Sequence, residues 1–279
     1  MDYSLLDSGN YYKIEKFGKY IIARPSPMAL WKPRQSLAAW EKYLDASFVR
    51  SEKEGKWTYL KKMPKEWTIS VNGVVFQLQC TDFGHLGLFP EHSLIWSELR
   101  DLISKISNCK VLNLFAYTGG TSIAAALAGA IVTHVDASKT AVRWAEKNVS
   151  LNGLKEKRIF WIIEDVLKFL HKEQRRKKLY DIIILDPPTY GRGTNNEIFK
   201  IQKDLHPLLE MCCSLLSERA QLLFFSTHTL GHTPLSISNV FEQYCQSPFF
   251  KKGKIICDEL IIPGTPCLPS GVFGKWICT

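Results

Sequence analysis

Short apolar runs separated by mixed polar segments recur along the second two thirds of the chain. Five of these runs have the length and apolar content of buried strands: 111–114, 131–135, 159–163, 181–185 and 221–226. The segment at 139–151 between two of them has the period of an amphipathic helix, and two further strands are expected near 254–262 and 271–277. Strands that alternate with helices are typical of an α/β fold with a Rossmann-like sheet.

The first third of the chain has a different pattern. Aromatic and β-branched residues flank Gly18, which predicts a hairpin, and Asn72-Gly73 is a strong signal for a second one. We therefore predict a small β-rich N-terminal domain over residues 1–92 and the α/β domain over residues 93–279.

One strand-to-helix turn contains two adjacent glycines. Gly119 and Gly120 follow the first apolar run, and a helix of small apolar residues is expected at 123–128. Glycine reaches backbone conformations closed to other residues, and Thr121 or Ser122 is expected to cap the helix, whose free N–H groups then face a ligand. The turn predicts a site for a nucleotide-like cofactor.

Acidic residues end the next two runs. Asp136 follows the glycine turn at roughly the 20-residue spacing at which a Rossmann-type unit places the carboxylate that binds a ribose. Asp165 follows the third run and could accept a hydrogen bond from the exocyclic amine of an adenine. For each acid the alternative is that it only caps the following helix.

The fourth run ends in Asp186-Pro187-Pro188, followed by Thr189 and Tyr190. Two prolines stiffen the chain where it leaves the strand, so that the carboxylate and the neighbouring main-chain carbonyls form a preorganised acceptor site near the glycine turn. Such acceptors could hold a planar amino group that loses a proton while it attacks a methyl, with Tyr190 stacked on its ring.

The charge of the chain favours phosphate-rich partners. Lys and Arg total 36 against 27 Asp and Glu, a formal net charge of +9. Aromatic and basic residues interleave in the N-terminal domain, where they could stack single-stranded bases or form the core of a small β domain. They are Tyr11, Tyr12, Trp31, Lys32, Arg34, Trp57, Tyr59, Lys61 and Lys62.

Other classes of site have little support in the sequence. The eight cysteines form no CxxC pair and have no interleaved histidines at zinc-finger spacing, so no metal site is predicted. No stretch of about 18 apolar residues is present, and we expect a cytosolic, reduced protein without a membrane partner. The loop at 83–92, with two glycines and two histidines, is either a contact to cofactor or substrate or a linker between the domains.

Together these motifs resemble the class I S-adenosylmethionine-dependent methyltransferases. Within that superfamily they are most similar to the ribosomal RNA large-subunit methyltransferases that modify cytosine C5 or guanine N7. The similarity covers roughly residues 80–279. The segments that carry it are Asn113-Leu114-Phe115-Ala116-Tyr117-Thr118-Gly119-Gly120, Val135-Asp136-Ala137-Ser138, Glu164-Asp165 and Asp186-Pro187-Pro188.

The resemblance implies a sheet of seven strands, the last of them antiparallel, with S-adenosylmethionine at the carboxyl ends of the strands. It places the methionine moiety near Phe115, Tyr117 and Gly119, the ribose on Asp136, the adenine by Asp165 and the methyl beside Asp186. The full set of cofactor-binding residues that we expect is Phe115, Tyr117, Thr118, Gly119, Gly120, Thr121, Asp136, Ala137, Ser138, Asp165 and Asp186. The catalytic set is Asp186, Pro187, Pro188 and Tyr190.

This sequence also departs from its relatives. They often have Asp-Gln-Arg where this chain has Pro90-Glu91-His92. Methylation of cytosine C5 needs a cysteine thiolate that adds to C6, and its usual positions hold Thr189 and Ser226-Thr227-His228, which disfavours that chemistry. In nitrogen-methylating relatives an aromatic residue directly follows the two prolines, whereas Thr189 intervenes here, so the target atom stays open.

The function expected from the sequence is methyl transfer from S-adenosylmethionine to a base of ribosomal RNA, which the β-rich domain helps to grip. Three alternatives stay open: a methyltransferase acting on a protein or small molecule, an NAD-dependent oxidoreductase, and a cofactor-binding module without activity. The Asp186-Pro187-Pro188 element and the absence of a full GxGxxG distinguish the first hypothesis from the oxidoreductase.

Overall fold

The computed structural model describes residues 2–50, 55–154, 158–194 and 197–279. The chain divides into two compact units, one formed by residues 1–94 and 261–270 and the other by residues 95–260 and 271–279. Among the described helices, none combines the length and the apolar character needed to traverse a lipid bilayer.

The first unit is built on a five-stranded sheet and a separate hairpin. In the sheet the strands follow their order in the chain, and only β3 and β4 are parallel. The predicted hairpins around Gly18 and Asn72-Gly73 are confirmed as β2–β3 and β6–β7. The elements are β1 (Tyr3–Gly9), β2 (Tyr12–Phe17), β3 (Tyr20–Pro25), α1 (Leu37–Glu41), β4 (Ala46–Arg50), β5 (Gly55–Tyr59), β6 (Trp67–Val71), β7 (Val74–Leu78) and a 3-10 helix (Pro90–Ile95).

The second unit alternates helices and strands. Its elements are α2 (Trp96–Ser104), β8 (Lys110–Leu114), α3 (Gly120–Leu127), β9 (Ile131–Asp136), α4 (Lys139–Leu151), β10 (Ile159–Ile163), α5 (Val166–Arg175), β11 (Ile182–Leu185), β12 (Tyr190–Arg192), β13 (Ile198–Lys200), α6 (Ile201–Ser214), β14 (Leu222–Thr227), α7 (Pro234–Tyr244), a 3-10 helix (Phe250–Lys252), β15 (Gly253–Ile262) and β16 (Leu268–Cys278). The ends of β15 and β16 that meet at residues 261–270 group with the first unit.

The predicted Rossmann-like sheet of seven strands is confirmed. Its order is β10-β9-β8-β11-β14-β16-β15, with the first five strands parallel and β16 antiparallel to β14. The central strand β11 is buried along its whole length. Helices cover both faces of a parallel sheet, and a strand at its centre is therefore a continuous run of apolar residues.

Candidate functional site

The turn after β8 departs from ordinary backbone geometry at three positions. Phe115 (φ 55°), Tyr117 (φ 49°) and Gly119 (φ 87°) all lie in the left-handed region, which is uncommon for residues with a side chain. The Phe115 ring packs against the Phe199 ring with their centroids 5.1 Å apart, and the Tyr117 ring lies 6.2 Å from the Trp144 ring. Packing of these two rings therefore stabilises an unusual backbone conformation in the turn at 115–119, at the carboxyl end of β8.

Gly119 is the N-cap of α3, and no side chain caps this helix. The expectation that Thr121 or Ser122 caps it is wrong, because both lie within the first helical turn and their hydroxyls bind inside the unit. Thr121 Oγ1 accepts a hydrogen bond from Trp96 Nε1 at 3.2 Å. A Cβ on Gly119 would lie 2.9 Å from the Ala145 Cβ, so the turn approaches α4 too closely for a side chain.

A buried polar network lies beneath the turn, and sequence reasoning missed it. Asn113 Nδ2 donates to Ser122 Oγ at 2.9 Å, and Ser122 Oγ lies 3.0 Å from His134 Nδ1. His134 is fully buried, which lowers its pKa to about 3, and its Nε2 has no hydrogen-bond partner among the described residues. A histidine inside the apolar run at 131–135 was the one sequence signal for this network.

Asp136 joins the glycine turn to the start of α4. Its Oδ2 accepts from the Tyr117 N–H and its Oδ1 from the Ser138 N–H, both at 2.8 Å. Burial raises the pKa of the Asp136 carboxyl, and these two donors act in the opposite direction. The helix cap is Ser138, whose Oγ accepts from the Ala141 N–H at 3.2 Å, so Asp136 is not merely a cap.

Two further predicted residues have structural partners at the same edge. Asp165 is the N-cap of α5, and its Oδ1 accepts from the Lys168 N–H at 3.0 Å. The Thr118 carbonyl accepts from Asn148 Nδ2 at 3.0 Å, which ties the glycine turn to α4. The cap at Asp165 uses one carboxylate oxygen and does not itself exclude a ligand on the other.

Asp186 lies at the end of β11, between the ends of β8 and β14. Leu185 pairs with Leu114 on one side and Phe225 on the other, which brings the next residues of all three strands together. Ser226 Oγ donates to Asp186 Oδ1 at 2.8 Å, and His228 Nε2 lies 3.6 Å from the same oxygen. Sequence reasoning did not foresee either partner, because both follow a different strand.

The two prolines lead from this carboxylate to an exposed aromatic. Pro187 is buried, Pro188 is exposed, and Tyr190 opens β12 with about half of its surface exposed. Thr189 Oγ1 lies 2.7 Å from Thr229 Oγ1, so a hydrogen bond joins the segments that follow β11 and β14. The proline segment is therefore fixed at both ends.

The structure brings most of the predicted site residues to one edge of the sheet. The glycine turn follows β8, Asp136 is the last residue of β9 and the partly exposed Ala137 comes next, Asp165 follows β10 and Asp186 follows β11, all at the carboxyl ends of parallel strands. Ligands of open α/β sheets bind at this edge. The roles of the individual residues stay predictions.

The loop at 83–92 belongs to the first unit and is fixed within it. The Gly84 carbonyl accepts from Arg24 Nη1 at 3.1 Å, and the buried Glu91 accepts from Ser270 Oγ at 2.5 Å. Arg24 also forms a buried ion pair with Glu15 at 2.6 Å. Contact of the loop with a cofactor stays a prediction.

A family model and a curated relative both match this chain, and both describe methyltransferases. A model of the S-adenosylmethionine-dependent methyltransferase family matches residues 42–229, more than half of the chain. A ribosomal RNA large subunit methyltransferase K/L from Shewanella loihica is 37% identical over 182 residues, which are 61% of this chain and 25% of that protein. This chain thus matches about a quarter of the length of that curated relative.

Solved structures extend the similarity to nearly the whole chain. The crystal structure of the SAM-dependent methyltransferase from Agrobacterium tumefaciens is 36% identical, with a TM-score of 0.93 over 99% of this chain and 90% of that one. The structure of SMU.776, complexed with SAH, is 23% identical, with a TM-score of 0.77 over 99% of this chain and 75% of that one. The second likeness concerns the fold alone.

Proposed function

This chain belongs to the S-adenosylmethionine-dependent methyltransferase family, and on that premise we propose that it transfers the methyl group of S-adenosylmethionine to a base of ribosomal RNA. The observation that carries the proposal is the convergence of the Gly119 turn, Asp136 and Asp186 at one edge of parallel strands. The name of the Shewanella relative supports ribosomal RNA as the substrate class. Such a substrate agrees with the cytoplasmic location that the sequence predicts.

The residues at this edge fit the cofactor. Gly119 allows the turn a left-handed conformation packed closely against α4, and the turn presents backbone N–H groups at the start of α3, where a carboxylate is favoured. Asp136 is held in place by two backbone donors and keeps lone pairs for the hydroxyls of a ribose. Asp165 has a second oxygen, Oδ2, for the exocyclic amine of an adenine.

When bound, S-adenosylmethionine supplies an electrophilic methyl on a positively charged sulfur. The protein then has to align the attacking atom and receive its proton. Asp186 is oriented by the Ser226 hydroxyl, with the His228 ring beside it, so its carboxylate can accept the hydrogen bond of an amino group. Tyr190, half exposed four residues later, is available to stack on the ring that carries this group.

The cysteines of the second unit argue against a thiolate mechanism. None occupies positions 186–190 or 226–229. Burial raises the pKa of the Cys109 thiol to about 12 and also raises the pKa of the fully buried Cys212 thiol, so neither is a nucleophile near neutral pH. Direct transfer to an atom that is already nucleophilic is the chemistry that this site supports.

The first unit has a surface suited to RNA. Its buried acids include Asp7, Glu15 and Glu91, so its exposed charges are more basic than its composition. The exposed cations among its described residues are Lys16, Lys19, Lys32, Arg34, Lys42, Arg50, Lys56, Lys61, Lys62 and Lys65, against the acids Asp2, Glu41, Glu66 and Asp82. We include gripping of RNA by this unit, residues 1–92 of the predicted division, in the proposal.

The test is incorporation of labelled methyl groups into ribosomal RNA from cells that lack the enzyme. Wild type should label the RNA, Asp186→Ala should lose the label, and Asp101→Ala, which removes an exposed carboxylate of α2, should keep it. The melting temperature of Asp186→Ala should stay close to that of wild type, which shows that this variant is folded. Label in protein or a small metabolite, with none in RNA, would overturn the RNA substrate and leave the methyltransferase assignment standing.

A further inference from the structure

The segment after the two prolines forms a short two-stranded ribbon with two different faces. In the β12–β13 register Gly191 pairs with Phe199, and Phe199 is buried against the Phe115 ring of the glycine turn. On the opposite face, Tyr190 pairs with Lys200 and Arg192 pairs with Ile198. Side chains of directly opposed residues share a face, so these four form one surface, which we call the outer ribbon face.

The outer ribbon face is exposed and positively charged. All four side chains are exposed, with 49% of Tyr190 and 56% of Ile198 accessible to solvent. No ion pair joins Arg192 or Lys200 to another described residue. The neighbouring acid Glu197 is already paired with Lys168.

The ribbon is attached directly to the predicted catalytic segment. The Ile201 N–H donates to the Thr189 carbonyl at 3.2 Å, and a Cβ on Gly191 would lie 3.1 Å from Pro188 Cγ. The inner face contacts the turn of the cofactor site through Phe199, while the outer face starts four residues after Asp186. The chain that forms the outer face is therefore fixed to the segment that carries Asp186.

We propose that the outer ribbon face binds the single-stranded segment of RNA that carries the target base. Tyr190 stacks on a base, and Arg192 and Lys200 hold the phosphates on either side of it. An aromatic ring flanked by cations on an exposed surface is the usual combination for single-stranded nucleic acid. This inference rests on the proposed function and adds to it the surface that holds the substrate strand.

The test is direct binding of a fluorescein-labelled single-stranded RNA, about 16 nucleotides long to cover the known range of site sizes, measured by anisotropy over a salt series. Arg192→Ala/Lys200→Ala should weaken binding and reduce the slope of log affinity against log salt by about 1.4, since each phosphate contact contributes about 0.7 on single strands. Tyr190→Ala should weaken binding about 5- to 150-fold with the slope unchanged.

Matched variants keep the test specific. Lys105→Ala/Lys110→Ala removes two exposed cations at the opposite, amino edge of the same sheet and should leave the salt slope unchanged. Arg192→Lys/Lys200→Arg retains the charges and should retain most of the affinity. Equal loss in the control pair would overturn the proposal, because binding would then be a property of net charge.

Other outcomes separate this inference from the proposed function. Wild-type affinity and salt slope in Arg192→Ala/Lys200→Ala would overturn the ribbon assignment, whatever the enzyme activity. If Arg192→Ala/Lys200→Ala lost binding to a polyglutamate peptide but kept its RNA affinity, the outer ribbon face would be assigned to an acidic protein. That result would also overturn the proposal. Failure of wild type to bind S-adenosylhomocysteine would refute the proposed function, while the RNA anisotropy would still report on the ribbon.

Discussion

The Tyr117 N–H donates a hydrogen bond of 2.8 Å to the Asp136 carboxylate and thereby joins the turn after β8 to the end of β9. The other Asp136 oxygen accepts from the Ser138 N–H at the same distance. The orientation of the carboxylate is thus fixed by backbone alone. A ligand that binds this carboxylate meets a group that needs no rearrangement.

Asp136→Ala should weaken binding of S-adenosylhomocysteine about 10- to 150-fold, because hydrogen bonds to a charged group contribute about 1.5 to 3 kcal/mol. Isothermal titration calorimetry measures the dissociation constant. Asp101→Ala is the control and should leave it unchanged. An unaltered dissociation constant in Asp136→Ala, with the fold intact by melting temperature, would contradict the ribose role.

Ser226→Ala removes the hydroxyl that donates to Asp186 Oδ1. We expect kcat for methyl transfer to fall about tenfold or more, because one hydrogen bond to a charged group contributes at least ~1.5 kcal/mol. Affinity for S-adenosylhomocysteine should change less than kcat, since this ligand lacks the methyl group that we expect beside Asp186. Single-turnover kinetics measure the step, and Ser104→Ala, an exposed serine of α2, is the control. A kcat equal to that of wild type would argue that the hydroxyl does not orient the carboxylate.

RNA fluorinated at cytosine C5 distinguishes the two kinds of base methylation. A cysteine that adds to C6 becomes trapped on such RNA, whereas direct transfer leaves no covalent adduct. Because no cysteine stands next to Asp186 or Ser226 in the sequence, we expect no adduct. A denaturing gel of enzyme, cofactor and fluorinated RNA is the measurement. A shifted band that disappears on substitution of one cysteine would restore the C5 mechanism.

The parallel sheet was predictable because its strands are continuous apolar runs, and the central ones are buried on both faces. The run at 181–185 predicted β11, whose residues are all buried, and Asp136, Asp165 and Asp186 were recognisable because each follows such a run. Strand β4 was missed because it is short and exposed on its last two residues, so its apolar pattern is weak. Strands β12 and β13 have three residues each, too few for a period to show.

Partners contributed by distant segments could not be read from local pattern. Ser226 and His228 meet Asp186 only because β14 lies beside β11 in the sheet. The grouping of residues 261–270 with the first unit is also tertiary, since a Cβ on Gly264 would lie 2.7 Å from Leu5 Cδ2. The sequence motifs therefore identified Asp186, but its partners Ser226 and His228 could be identified only from the order of the strands in the sheet.

His134 should make stability depend on pH. Its pKa is about 3 in the folded protein against 6.5 for the unperturbed group, because burial disfavours the charged ring. The unfolded chain therefore binds the proton first, so stability is fully present above pH 6.5 and is lost as the pH falls towards 3. Between pH 7 and pH 5 this group should remove about 2 kcal/mol from the free energy of unfolding.

The measurement is denaturant unfolding of wild type and His134→Gln at both pH values. The variant lacks the titrating ring, so its loss of stability between pH 7 and pH 5 should be smaller by about 2 kcal/mol, whatever its absolute stability. All other histidines are common to the two proteins and cancel in the comparison. An identical loss of stability in both proteins would mean that His134 binds its proton in the folded protein as readily as in the unfolded chain over this pH range.

Gly119 and Gly153 separate two costs of placing a side chain on left-handed backbone. Both have positive φ, 87° and 69°, so alanine at either position should cost about 1 to 2 kcal/mol of backbone strain. Nothing lies within 4 Å of a Cβ on Gly153, whereas a Cβ on Gly119 would lie 2.9 Å from Ala145 Cβ. Gly119→Ala should therefore destabilise the protein more than Gly153→Ala and should also weaken binding of S-adenosylhomocysteine, because the turn must move away from α4.

Chemical denaturation and calorimetry of the two variants provide the comparison. Equal destabilisation with full affinity in both would show that the close approach of Gly119 to α4 is not needed for the cofactor site.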